Sequence, residues 1–127
     1  MTSSRLEAVL AMHEEKTNAA LDQLDKAEQF ARESQALRVA GESADRDATV
    51  TVDGVGQMVE LSFGPRFQEL SGPQLSAAVL EAHAQAKRRL SFAIERLGED
   101  VYGAGSPTAQ RFAQSYRDQF GYEEDER

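Results

Sequence analysis

The apolar period of this chain changes twice, from helical spacing to strict alternation and back, and that order admits few architectures. From Ser4 to Glu33 no glycine or proline interrupts a pattern in which Leu6, Val9, Leu10, Ala20, Leu21, Leu24 and Ala31 recur at helical spacing. Glu7, Glu14, Glu15, Asp22, Asp25 and Glu28 mostly fill the gaps, which predicts one long amphipathic helix. From Gln35 Leu37 and Val39 alternate with Ala36, Arg38 and Ala40, a first strand that ends at the turn-forming GESADRD. The stretch ATVTVDGVGQMVELSF, residues 48–63, reads as two further strands, with Val50 and Val52 in one and Val55, Val59, Leu61 and Phe63 in the other. Each has one apolar and one mostly polar face.

Asp53-Gly54 between these strands is the dipeptide favoured by a type I′ turn, in which both central residues take positive φ. Gly54-x-Gly56 is no phosphate loop, because no helix follows and the rest of that fingerprint is missing. GPRFQELSGPQ is a connection, with Ser71 as the N-cap and Pro73 in the first turn of a second helix. That helix is expected to end at about Leu97, before Gly98, with a stripe of Leu75, Val79, Ala82, Ala86, Leu90, Ala93 and Leu97. Leu80 and Ile94 widen it on one flank and Phe92 on the other. GAGSP, residues 103–107, breaks the chain before a short helix carrying Phe112, Tyr116 and Phe120, and EEDER reads as a solvated end. The expected division is a domain over 1–103 and a C-terminal extension over 104–127, in an α+β fold with a three-stranded antiparallel sheet between long helices.

With 127 residues the chain has room for one core, and a net charge of −8 disfavours unspecific adhesion to polyanions, so any contact with phosphate must be local. There is no cysteine for a thiolate zinc site or a nucleophile. His13 and His83 are the only histidines, and HEE at 13–15 lacks the second histidine of a zinc helix. Glu14/Glu15 and Asp22/Asp25 read as the wet face of a helix, and no serine stands in a nucleophile elbow. The expectation is no enzyme, no catalytic residue, no metal and no cofactor. The apolar patch before His13 is too short for a signal peptide or a membrane span, so a cytoplasmic protein with no membrane partner is expected.

A helix of about 30 residues runs roughly 45 Å, whereas strands of about seven residues reach only roughly 23 Å. The sheet is too short to cover the stripe from Leu6 to Leu24. A homodimer in which long helices meet is the simplest solution, and a bent or helix-paired monomer is the alternative.

The densest basic cluster is KRRLSFAIER, residues 87–96, where Arg88, Phe92 and Arg96 form a row with Arg89 beside it. Such side chains can contact phosphates. Alternatively they pair with Glu81, Glu95 or the first helix and pack their stems around Phe92, which the sequence alone favours. The aromatic row Phe112, Tyr116 and Phe120 either docks on the domain, the expected outcome, or forms an exposed surface for a protein partner.

The order long helix, three short strands, long helix, with LRVAGES before VTVDGVGQMVELSF and then LSAAVLEAHAQAKRR, resembles the YbaB/EbfC family of bacterial nucleoid-associated DNA-binding proteins. The resemblance spans roughly Leu6 to Leu97. It implies a small homodimer in the cytoplasm and nucleoid that binds double-stranded DNA without catalysis. The hairpin at Asp53-Gly54 would then be scaffold. By charge and position the resemblance points to Lys87, Arg88, Arg89 and Arg96 as DNA contacts, with Arg5 at the far end of the first helix as another. Without a recognition helix or a base-reading arm, contacts would go mainly to the backbone. The rival is a protein-interaction or chaperone-like adaptor that keeps this fold and binds through its acidic helix and C-terminal extension.

Overall fold

The computed structural model describes residues 2–125. Helix α1 (Thr2–Gln35) leads into strands β1 (Val39–Glu42), β2 (Ala48–Val52) and β3 (Met58–Phe63), which form one antiparallel sheet in the order β1-β2-β3. A 3-10 turn (Phe67–Glu69) precedes α2 (Gly72–Tyr102) and α3 (Pro107–Phe120). This is the expected α+β arrangement.

Small residues let α2 lie directly on the sheet. Ala82 and Ala86 are fully buried, and a Cβ placed on Gly41 would stand 2.3 Å from the Ala86 nitrogen and 2.4 Å from the Ala82 carbonyl oxygen. The backbone of β1 therefore rests on the helix with no side chain between them. Val50, Val52, Leu90 and Ile94 complete the centre of the core. At the start of α2, Ser71 Oγ accepts from the Gln74 N–H and Gln74 Oε1 accepts from the Ser71 N–H, a capping box that satisfies donors the first turn leaves open.

Four expectations need correction. Strand β1 begins at Val39, because Ala36 and Leu37 still donate to the Arg32 and Ser34 carbonyls as α1 unwinds. Helix α2 continues through Gly98 to Tyr102, so the buried face runs through Ile94 and Gly98 while Ala93 and Leu97 are only partly covered. Gly98 does not end the helix. It makes room for Ala109 of α3, whose Cβ would lie 3.2 Å from one on Gly98, and Gly103, at φ 95°, is the stop. The hairpin turn is not type I′, since positive φ falls on Gly56 and not on Asp53 or Gly54. The Gly56 N–H donates to the Asp53 carbonyl and the Asp53 N–H to the Gln57 carbonyl, a three-residue loop closed by a left-handed glycine. Asp53 Oδ1 accepts from the Val55 and Gln57 N–H groups, and Gly54 serves close approach, a Cβ there lying 2.0 Å from the Ser34 carbonyl oxygen.

Two apolar surfaces stay uncovered in the single chain. Leu61 pairs with Val50 and Phe63 with Ala48, so they share the face that α2 buries on β2, yet β3 is left exposed along its length, with Leu61 41% and Phe63 43% exposed. On α1, Leu6, Val9, Leu10, Leu21 and Leu24 are all more than half exposed. The helix is anchored near its C-terminal end by Phe30, which is buried against Tyr102 and Phe112.

The aromatic row of α3 docks. The Phe112 ring lies 4.5 Å from that of Phe30, Tyr116 Oη donates to the Gly54 carbonyl at 2.7 Å, and Phe120 packs beside Gly56. The end of the chain is not simply solvated either. Glu126 and Arg127 lie outside the described residues, but Tyr122 and Glu123 turn back onto α2.

Candidate nucleic-acid interface

The helical period sorts the basic residues of α2. Arg88, Arg89 and Arg96 fall on the flank that carries Phe92, beside the edge strand β1, whereas Lys87 points to the other side, its Nζ 5.9 Å from the centroid of Phe120. Between α2 and β1 runs an open groove lined by Arg38, Ala40, Arg89, Phe92, Arg96 and Asp125. Arg5 sits on the exposed arm of α1, about 45 Å of helix away from its C-terminal end. The proposed contacts therefore divide into a cluster around Phe92, a lysine on the α3 side and a distant arginine.

Within the cluster the arginines differ. Arg89 is the most buried, with its side chain 13% exposed, and its Nη1 donates to the Ala40 carbonyl at 3.1 Å, tying the helix to β1. Its Nε donates to Glu123 Oε2 at 3.2 Å, and Arg88 Nη2 lies 3.7 Å from Glu123 Oε1. Arg96 is exposed, with its guanidinium carbon 5.9 Å from the Phe92 centroid. Arg38 is exposed too, and its Nη1 donates to the Gln35 and Leu37 carbonyls at 3.2 and 2.7 Å, at the end of α1 where cations are favoured.

The acid that meets the arginines is not among those the sequence offered. Glu81 Oε1 accepts from the Ala44 N–H, and Glu95 accepts from Arg117 and from Tyr122 Oη. Glu123 comes instead from beyond α3. Gly121, at φ 79°, ends that helix, and the Glu123 N–H then donates to the Arg88 carbonyl at 3.1 Å. Tyr122 lies between the Arg117 guanidinium, 3.8 Å from its centroid, and the edge of Phe92, at 6.1 Å. Burial, then the Glu95 charge, pushes the Tyr122 hydroxyl above its ordinary pKa, and the hydrogen bond to Glu95 raises that of Arg117.

Other polar clusters have structural partners. Arg66 makes a two-pronged contact with Asp47 at 3.1 and 2.9 Å, which closes the β2–β3 end of the sheet and holds the Asp47 carboxyl below the usual carboxylate range. His83 Nε2 is 3.0 Å from the Gly56 carbonyl oxygen and donates to it. Among the described residues no group of three or more histidines and carboxylates is placed to hold a metal ion, and no helix is long and apolar enough to cross a membrane.

Sequence reasoning missed Arg38 and the acidic cover of the groove. Arg38 lay inside the expected strand, and Glu123 is separated from Arg89 by an entire helix. The only available signal was that one chain carries both a basic helix segment and an acidic end.

The model of the YbaB/EbfC DNA-binding family matches residues 12–104, from within α1 through the sheet to the end of α2. No curated protein matches the chain.

Proposed function

The chain belongs to the YbaB/EbfC DNA-binding family, and from that premise we propose that it is a non-enzymatic, nucleoid-associated homodimer of the cytoplasm that binds double-stranded DNA with little sequence preference. The observation that carries this is the arginine row beside β1. Arg88 and Arg96 lie on the same side of a rigid helix, Arg96 exposed and Arg88 half-buried beside Glu123, Arg38 adds a third across the groove, and Arg89 is held in place by the Ala40 carbonyl. Guanidinium groups spaced along one rigid flank suit phosphates, and phosphate contacts position a duplex without reading its sequence. Lys87 and Arg5 add charge at a distance.

A second copy is the occupant that best suits the bare surfaces. Strand β3 is an uncovered edge with Leu61 and Phe63 exposed, and α1 extends a long apolar stripe. Pairing through either places two arginine rows on one assembly, which multiplies the phosphate contacts available to a chain of net charge −8. The adaptor alternative has less support, because Tyr116 and Phe120, two of the three aromatics proposed as its surface, are occupied within the chain.

The test is titration of a labelled mixed-sequence duplex with the R38A/R88A/R96A variant, which spares the structural Arg89. Affinity should fall at least about tenfold at moderate salt, and the salt slope should flatten by roughly two to three for each arginine row that engages the duplex. Unchanged affinity in a folded variant rejects this surface. Residual binding lost only on adding Lys87→Ala or Arg5→Ala moves the interface to the other side of α2 or to the arm.

A further inference from the structure

Resting on the DNA-binding reading above, we infer that the acidic segment after α3 is a built-in competitor for DNA, seated on the arginine groove as a carboxylate stand-in for phosphate. The segment is placed by particular contacts rather than by loose attraction. Gly121, whose φ of 79° suits glycine, turns the chain off α3, and a Cβ there would lie 3.2 Å from Arg88 Cγ, so the backbone runs close along the arginine stem. Tyr122 is held by Arg117, Glu95 and Phe92, and the Glu123 N–H by the Arg88 carbonyl.

These anchors deliver one carboxylate to two of the arginines. Glu123 Oε2 takes the Arg89 Nε and Oε1 faces Arg88, while Asp125 lines the groove with Arg38, Arg89 and Arg96. Carboxylate and phosphate oxygens accept from guanidinium groups in the same geometry. DNA phosphate and the segment therefore exclude each other. Both ion pairs are partly exposed, so each is weak and open to competition. Arg117, Gly121, Tyr122 and Glu123 lie beyond the family match, which stops at residue 104, while the α2 residues they pack on lie within it, so the competitor is a feature of this chain's extension.

The experiment compares the full chain with three altered forms by anisotropy titration against the same labelled duplex over a range of salt: a chain ended after Phe120, the E123Q/E124Q/D125N variant, and an E14Q/E15Q/D22N control that removes the same charge from the exposed arm. Circular dichroism establishes that each is folded, and the E123Q/E124Q/D125N variant keeps Gly121 and Tyr122 should the shortened chain be unstable. Shortening and neutralising the segment should each tighten binding roughly fivefold or more and steepen the salt slope by about one to two, with the control changing less than about twofold. A peptide of residues 119–127 should displace DNA from the shortened chain. Equal tightening in the control makes the effect one of net charge and overturns the inference. Equal affinity in all forms also overturns it while leaving DNA binding intact. No binding by any form at low salt overturns the DNA-binding reading, and the inference with it.

Discussion

At Gly41 the absent side chain is what joins sheet to helix, and the cost of adding one follows from the geometry. A methyl group 2.3 Å from the Ala86 nitrogen meets backbone that has no room to yield. Gly41→Ala should destabilise the fold by about 1–3 kcal/mol or more, whereas Gly72→Ala, where nothing lies within 4 Å, should stay within about 0.5 kcal/mol, both read from urea midpoints. Ser91 is the converse case: its Oγ is, among the described residues, the one buried side-chain polar atom without a hydrogen-bond partner. Ser91→Ala should raise stability by about 1 kcal/mol. Asp47 supplies a pH dependence. Its hydrogen bonds from Arg66 lower its pKa in the folded state, so its contribution is present above the unfolded value of about 3.9 and is lost as pH falls through the lower folded value. Asp47→Asn should flatten the acid limb of the stability profile. None of these roles was legible in the residue alone. Gly41 was read as the start of a turn, Gly98 as a helix end and Gly54 as a positive-φ residue, because local sequence names the glycine without naming the backbone or side chain that comes near it.

At the level of elements, what repeats along the chain was readable and what meets from a distance was not. The uninterrupted period of α1, the alternation of β2 and the Ser71 cap are local, and they appeared where the sequence put them. The end of α2 and the path of residues 121–125 depend on α3, which follows in sequence but packs across α2. For the same reason the basic helix segment was legible as a candidate site, while Arg38 and Glu123 were not. The docking of α3 has a clear signature. Tyr116 Oη donates to the Gly54 carbonyl, and burial, then the Asp53 charge, raises its pKa. This contribution is present below the unfolded value of about 10 and is lost as pH rises through the higher folded value, so α3 should loosen on the alkaline side together with tyrosinate absorbance. Tyr116→Phe should remove that link and cost about 1 kcal/mol.

The whole molecule is uneven in its burial: α2 is wrapped by β1, β2 and α3, while β3 and most of α1 are bare. In the proposed homodimer a second copy would cover these surfaces and double the arginine rows. Leu61→Asp with Phe63→Asp should leave the helical signal of the single chain nearly intact, since both side chains are exposed there, yet shift the sedimenting species from dimer to monomer if β3 is the seam. DNA affinity should fall with it. The most direct measurement is a fluorescence-anisotropy titration of the purified chain against a mixed-sequence duplex at several salt concentrations, with its mass in solution determined in the same buffers. Saturable binding by a species of dimer mass, weakening steeply as salt rises, is the expected result. A stable dimer or monomer that leaves the duplex untouched even at low salt would contradict it.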